Sequence, residues 1–135
     1  MSQKLTILIQ KQLLEITNKK FSIKYIEKYL IPIFEYISKS KKRKFLVSGS
    51  QGIGKSTLVC ILKKNFKNFY NKKILCLSLD DYYLKKKQRV NLSKKKHPLL
   101  LTRGVPGTHD IKKLTKDIDS FEKSKYPINI PIFNK

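Results

Sequence analysis

Residues 49–57 read GSQGIGKST, and no other stretch limits the fold of this chain so tightly. Only five glycines occur in 135 residues; three of them, Gly49, Gly52 and Gly54, fall within six positions, with Lys55, Ser56 and Thr57 directly behind. Glycine tolerates positive φ and lets main chain come close to a ligand, so such a run can turn successive N–H groups inward. The spacing Gly-x4-Gly-Lys-Ser is the signature of a phosphate-binding loop when an apolar strand precedes it and a helix follows. Here KFLVSGS (44–50) stands ahead and KSTLVCILKKNFKNF (55–69), with helical spacing, stands behind. In that setting Gly49, Ser50, Gln51, Gly52, Ile53, Gly54 and Thr57 form the nest at the helix N-terminus. Lys55 reaches the β- and γ-phosphates, and the Ser56 hydroxyl ligates Mg²⁺. A glycine-rich turn that merely joins strand to helix is the plainer reading, and the full pattern in the full context weighs against it.

The rest of the chain supplies that context. Residues 3–17 and 21–38 carry apolar side chains at helical spacing, among them Ile23, Ile26, Leu30, Ile33 or Phe34, and Ile37, so residues 1–40 are expected to be helical, with a kink or restart at Pro32. A second apolar run, KILCLSL (73–79), reads as a buried strand. Strand, loop, helix and strand make a βαβ unit, which predicts an α/β fold with a parallel sheet and a right-handed crossover. Residues 84–96 read as helical or irregular, 103–109 as a loop, 110–123 as a helix with Ile111, Leu114, Ile118 and Phe121 on one face, and INIPIF (128–133) as the start of an extended segment.

The second run stops at Asp80-Asp81, 25 residues after Lys55. In a parallel sheet the strand C-termini share one edge, where ligands of such folds bind. The two aspartates are therefore expected beside the phosphate nest, one holding Mg²⁺ through water and the other taking a proton from an attacking hydroxyl. The alternative is a pair of helix-capping or solvated carboxylates; their place just after a strand favours function.

Charge separates the remaining classes. The formal net charge is +22, from 31 Lys+Arg against 9 Asp+Glu, a balance that ordinarily points to nucleic acid or an anionic membrane. The lysines, however, are scattered over nearly every segment, alanine is absent, and only Arg43, Arg89 and Arg103 are arginines. That is the residue usage of AT-rich coding, so nucleic acid is not favoured as a partner. Cys60 and Cys76 sit in apolar surroundings without a CxxC pattern and read as buried thiols of a reducing compartment. With no apolar run near the length of a membrane span and no secretory signal, a cytoplasmic protein is expected.

SLDDYYL, HPLLL and TRGVPGTHDIKKL, taken with GSQGIGKST, closely resemble the glycerate kinase family of P-loop kinases, relatives of uridine kinase, phosphoribulokinase and pantothenate kinase. The resemblance runs from about residue 25 to the end, and RGVPGTHD (103–110) is its most discriminating element. It implies a single domain with the P-loop NTPase three-layer sandwich, residues 44–135 forming its α/β core. It also implies ATP- and Mg²⁺-dependent phosphorylation of a small hydroxy acid, D-glycerate, to 3-phosphoglycerate. Lys55, Asp80 and Asp81 would be catalytic, with Asp80 matching the residue that acts as base in related kinases. Ser56, Asp80 and Asp81 would serve the metal; Asp80, Tyr83, Arg103, Thr108 and His109 would meet the acceptor. An arginine in so lysine-rich a chain suits a planar fork for a carboxylate or phosphate, though codon use also yields arginine. Thr108 and Asp110 read equally well as N-caps of the following helix; His109 binds substrate or orients its loop, and His97 reads as structural. Family members continue well past this point, commonly with Pro-Arg-Phe-Asp-Lys where this chain has Pro131-Ile132-Phe133-Asn134-Lys135, so the core is expected to be incomplete. Two other readings remain open on the sequence. One is a truncated, non-catalytic nucleotide binder that a partner chain completes; the other is a kinase for another small acceptor.

Overall fold

Pro32 shapes the helical region. Its nitrogen carries no hydrogen and its ring crowds the carbonyl of Lys28, so an ordinary α-helix cannot run through it undisturbed. In the computed structural model, which describes residues 2–124 and 127–132, the helix widens just before the proline. A short α2 (Ile23–Tyr25) passes into a π turn (Ile26–Leu30), and α3 (Ile31–Lys39) restarts with the proline in its first turn. The Ile31 N–H reaches back five residues to the Ile26 carbonyl, the i→i−5 bond of a π turn. Ser22 caps the entry by accepting the Tyr25 N–H at 3.1 Å. The expected restart at Pro32 is thus present, made by a widened turn.

The chain divides into two units, Met1–Cys76 and Leu77–Lys135. In the first, α1 (Ser2–Thr17) presents Leu5, Ile9 and Leu13, four residues apart, on one stripe. These pack with Ile26, Ile31 and Phe34, and with Ile61, Leu62 and Phe66 of α4 (Lys55–Tyr70), as one buried cluster. Phe34 lies between aromatic neighbours, its ring centroid 6.2 Å from both Phe66 and Tyr70. A polar pair joins the cluster, Asn65 buried and Gln12 half-buried: Asn65 Nδ2 donates to Gln12 Oε1 at 2.7 Å and to the Ile61 carbonyl at 2.8 Å, while Gln12 Nε2 donates to Asn65 Oδ1 at 3.3 Å. This reciprocal amide pair satisfies an asparagine with no exposed surface and fixes α1 against α4.

In the second unit a 3-10 turn (Leu79–Tyr82) leads to α5 (Lys86–Lys95), which packs on a further 3-10 turn (Pro98–Leu101). His97 opens that turn, its Nδ1 accepting the Leu99 N–H at 3.2 Å, the structural role expected of it. Then α6 (Ile111–Glu122) begins with Asp110 as N-cap, its carboxylate accepting the Lys113 N–H at 3.0 Å.

The expected parallel sheet is where sequence and structure part. Among the described residues no strand forms; 44–50 and 73–78 are irregular, Leu79 already belongs to the 3-10 turn, 127–132 is irregular too, and Phe133 lies outside the described residues. An apolar run reports that a segment avoids water, but a strand also needs a neighbour whose N–H and C=O groups meet its own, and parallel neighbours are distant in sequence. The first run is left exposed along its length: Leu46 is 93% exposed, while Phe45, also exposed, turns edge-on to Tyr36 with ring centroids 6.0 Å apart. Cys60 and Cys76 are free and half-buried rather than fully enclosed. No helix among the described residues is long and apolar enough to cross a membrane.

Truncating the ring at the centre of the first unit should cost the most. Phe34→Ala is expected to lower stability in urea unfolding by about 3–5 kcal/mol. Ile7→Ala, at an exposed position of α1, should change it by less than about 0.5 kcal/mol.

Candidate functional site

The glycine loop ends where Gly54 takes φ 95° and ψ 14°, a left-handed conformation that a side chain disfavours, and the chain drops straight into α4. Gly54 offers no side-chain cap. The first helical N–H bonded to this end is that of Leu58, to the Gly54 carbonyl at 2.9 Å, so the N–H groups of Lys55, Ser56 and Thr57 stand at the positive end of the helix without an intrahelical carbonyl. No acidic residue occupies that first turn. Residues 49–54 and Ser56 are exposed, and Lys55 and Thr57 half-buried. Lys55 Nζ folds back over the loop and donates to the carbonyls of Gly49 at 2.8 Å and Ser50 at 2.7 Å. The expected nest residues therefore form one open, cationic loop in the first unit. Unsatisfied N–H groups at a helix N-terminus favour negative charge.

The remaining predicted site residues lie in the second unit. Asp80 is exposed and Asp81 half-buried on the 3-10 turn. That turn is tied to the RGVPGTHD loop by a short antiparallel clamp: the Leu84 N–H donates to the Thr108 carbonyl at 2.8 Å, the Asp110 N–H donates to the Tyr82 carbonyl at 2.6 Å, and Tyr83 pairs with His109. The Tyr83 and His109 rings stack with centroids 4.3 Å apart and planes 27° from parallel. His109 Nε2 is buried without a hydrogen-bond partner. Thr108 is fully buried, its hydroxyl donating to the Val105 carbonyl at 2.6 Å, so its polar group serves the loop from inside. Gly104, at φ +89°, brings main chain close to Tyr83: a β-carbon there would stand 3.9 Å from the phenolic oxygen. Burial raises the Tyr83 hydroxyl's pKa; the Asp80 charge and its hydrogen bond to Tyr83 add to this, while the charges of Arg103 and Arg89 oppose it. Asp80, Tyr83, Arg103 and His109 thus belong to one neighbourhood.

Sequence reasoning passed over three residues here. Arg89 on α5 donates from Nε to the Leu84 carbonyl at 3.2 Å and from Nη1 to the Leu101 carbonyl at 2.5 Å, fastening the clamp from behind. Tyr82, 1% exposed, donates its hydroxyl to Asp117 Oδ2 at 2.9 Å; Asp117 is itself 6% exposed. The signal for Asp117 was present: it falls between Leu114 and Phe121 on the face expected to be apolar. Among the described residues no group of three or more His, Cys, Asp or Glu side chains is placed to hold a metal ion.

No protein-family model matches the chain, and no solved structure matches it significantly. Similar curated proteins are kinases by name. The chain is 34% identical over 119 residues to "Uncharacterized kinase mug58" of Schizosaccharomyces pombe, covering 84% of this chain and 43% of the relative. It is 33% identical over 112 residues to "Probable ATP-dependent kinase TDA10" of Saccharomyces cerevisiae, covering 79% and 38%. With "D-glycerate 3-kinase, chloroplastic" of Arabidopsis thaliana it shares 36% over 93 residues, covering 65% and 20%. The chain spans less than half the length of each of these relatives.

The Tyr82 hydroxyl offers a clean pH test. Burial raises its pKa, followed by its hydrogen bond to Asp117 and the charges of Asp117 and Asp81. The folded protein therefore holds this proton more tightly than the unfolded chain does. The stability this provides is complete below the ordinary tyrosine value of about 10 and is lost as pH rises above it. Wild type should exceed Tyr82→Phe by about 1.5–3 kcal/mol near neutrality, and the gap in urea midpoints should narrow above about pH 10.

Proposed function

We propose, on the premise that this chain belongs to the glycerate kinase-like family of kinases, that it transfers the γ-phosphoryl group of ATP to a hydroxyl of a small hydroxy acid, with D-glycerate as the acceptor and 3-phosphoglycerate as the product. The observation that carries the reading is the loop of residues 49–54 opening onto α4, with uncapped N–H groups and the Lys55 ammonium above it. These are the groups that phosphoryl transfer asks of a protein: positioned donors and positive charge around the phosphate oxygens.

In this reading Lys55 leaves the loop carbonyls for the β- and γ-phosphates. The acceptor hydroxyl oxygen attacks the γ-phosphorus, the bond to the β–γ bridging oxygen breaks, and ADP leaves. One of Asp80 and Asp81 would take the hydroxyl proton and the other would serve Mg²⁺, as the Ser56 hydroxyl would on the loop. When bound, Mg²⁺ neutralises charge on the phosphate oxygens, and a site built from few protein ligands with phosphate and water suits its chemistry. Arg103 clasps the acceptor's carboxylate with its planar fork. Tyr83 and His109 form the floor beneath the acceptor, and the unpartnered Nε2 of His109 gains a hydrogen bond when the acceptor's second hydroxyl arrives. An unpaired buried nitrogen costs about 1–3 kcal/mol, which the acceptor would recover.

A second reading is favoured by the span of the chain, less than half of each relative: it binds ATP phosphates without turnover by itself and acts together with a partner chain. One assay separates the two. Purified chain with ATP, Mg²⁺ and D-glycerate should release ADP and form phosphoglycerate, and Lys55→Ala should lower the rate about 10²–10³-fold without shifting the melting temperature. Nucleotide binding without ADP release would select the second reading. Turnover of another alcohol with none of glycerate would replace the acceptor and keep the class.

A further inference from the structure

Asp117, Tyr82 and Lys113 form a polar cluster inside the second unit that the phosphotransfer chemistry does not call on directly. The Tyr82 hydroxyl donates to Asp117 Oδ2 at 2.9 Å. Lys113 Nζ, one turn earlier on α6, donates to the same carboxylate at 2.9 and 3.1 Å and to the Asn129 carbonyl at 3.1 Å. A carboxylate 6% exposed is costly to keep charged, and apolar side chains of similar volume often stabilise a core as well as a buried ion pair does. What the polar version adds is direction, because a satisfied buried network holds one geometry.

The direction matters because of what Tyr82 carries. It is the last residue of the 3-10 turn bearing Asp80 and Asp81, a turn closed by the Asp81 N–H to the Ser78 carbonyl at 3.1 Å. Its own carbonyl accepts the Asp110 N–H. The side chain thus anchors the turn to the middle of α6, and the main chain anchors it to the cap of the same helix. Two points on one rigid element leave the turn little freedom to rotate.

We propose that Tyr82 and Asp117 are positioning residues: the buried hydroxyl–carboxylate bond sets the orientation of the Leu79–Tyr82 turn and so presents Asp80 and Asp81 to the acceptor hydroxyl and the metal. The inference rests on the kinase reading of those two carboxylates. It reaches residues that neither touch substrate nor belong to the glycine loop.

The test compares Tyr82→Phe, Asp117→Asn and Asp117→Leu with wild type, at a temperature where all are folded. Tyr82→Phe and Asp117→Leu should lower kcat about 10–100-fold, as loss of a supporting contact does, and raise the Mg²⁺ concentration giving half the maximal rate. KM for ATP should stay within about twofold, since the glycine loop is untouched. Asp117→Asn, which keeps an acceptor for the Tyr82 hydroxyl, should recover most of the rate. Amide hydrogen exchange at Leu84 and Asp110 should accelerate in Tyr82→Phe while α4 amides keep their wild-type rates. Unchanged exchange, or faster exchange with kcat and Mg²⁺ dependence unmoved, would overturn the positioning role. A wild-type chain that phosphorylates no acceptor would instead overturn the kinase reading, and exchange would still report whether the bond holds the turn.

Discussion

The entry into α4 is governed by a shortage of acceptors. A helix begins with N–H groups that nothing in the helix can satisfy, and most proteins answer with a Ser, Thr, Asp or Asn side chain at the cap. This chain places Gly54 there and no acid in the following turn. The left-handed bend leaves those donors facing the loop. That single choice leaves the loop with unsatisfied donors, and the mechanistic roles proposed for Lys55 and Ser56 depend on it.

The second unit is organised by the opposite economy. The whole chain has nine acidic residues, and its five aspartates all fall between positions 80 and 119. Asp110 caps a helix, Asp117 is sealed in the interior, and Asp80 meets Tyr83. Each of these carboxylates thus has a partner within a strongly cationic chain.

Local physics was legible in the sequence and pairing was not. The helices of residues 2–39, 55–70 and 111–122 follow from apolar spacing, and Pro32 announced its own interruption. The glycine loop was readable because its conformation is a property of consecutive residues. The runs at 44–50 and 73–79 were read as strands from their apolar character, and no ladder forms between them, because pairing depends on a distant partner that composition does not name. Asp117 was overlooked for a related reason: an acid on an apolar face looks like an interruption of the pattern until Tyr82, 35 residues away, supplies the hydroxyl that explains it. The clamp between 82–84 and 108–110 was equally invisible, since its hydrogen bonds run through main chain.

The two carbonyl contacts of Lys55 bear on how such a loop would recognise its ligand. A free lysine side chain loses about 1.5–2 kcal/mol of rotamer entropy when it is immobilised, and here that loss has already occurred, because Gly49 and Ser50 hold the ammonium in place. A phosphate arriving there would meet an ordered cation and would have to draw it away from two oxygens. Recognition is then an exchange of partners, with a smaller heat of binding than the number of new contacts suggests. The lysine also masks the loop's own carbonyl dipoles, which would otherwise repel the approaching anion.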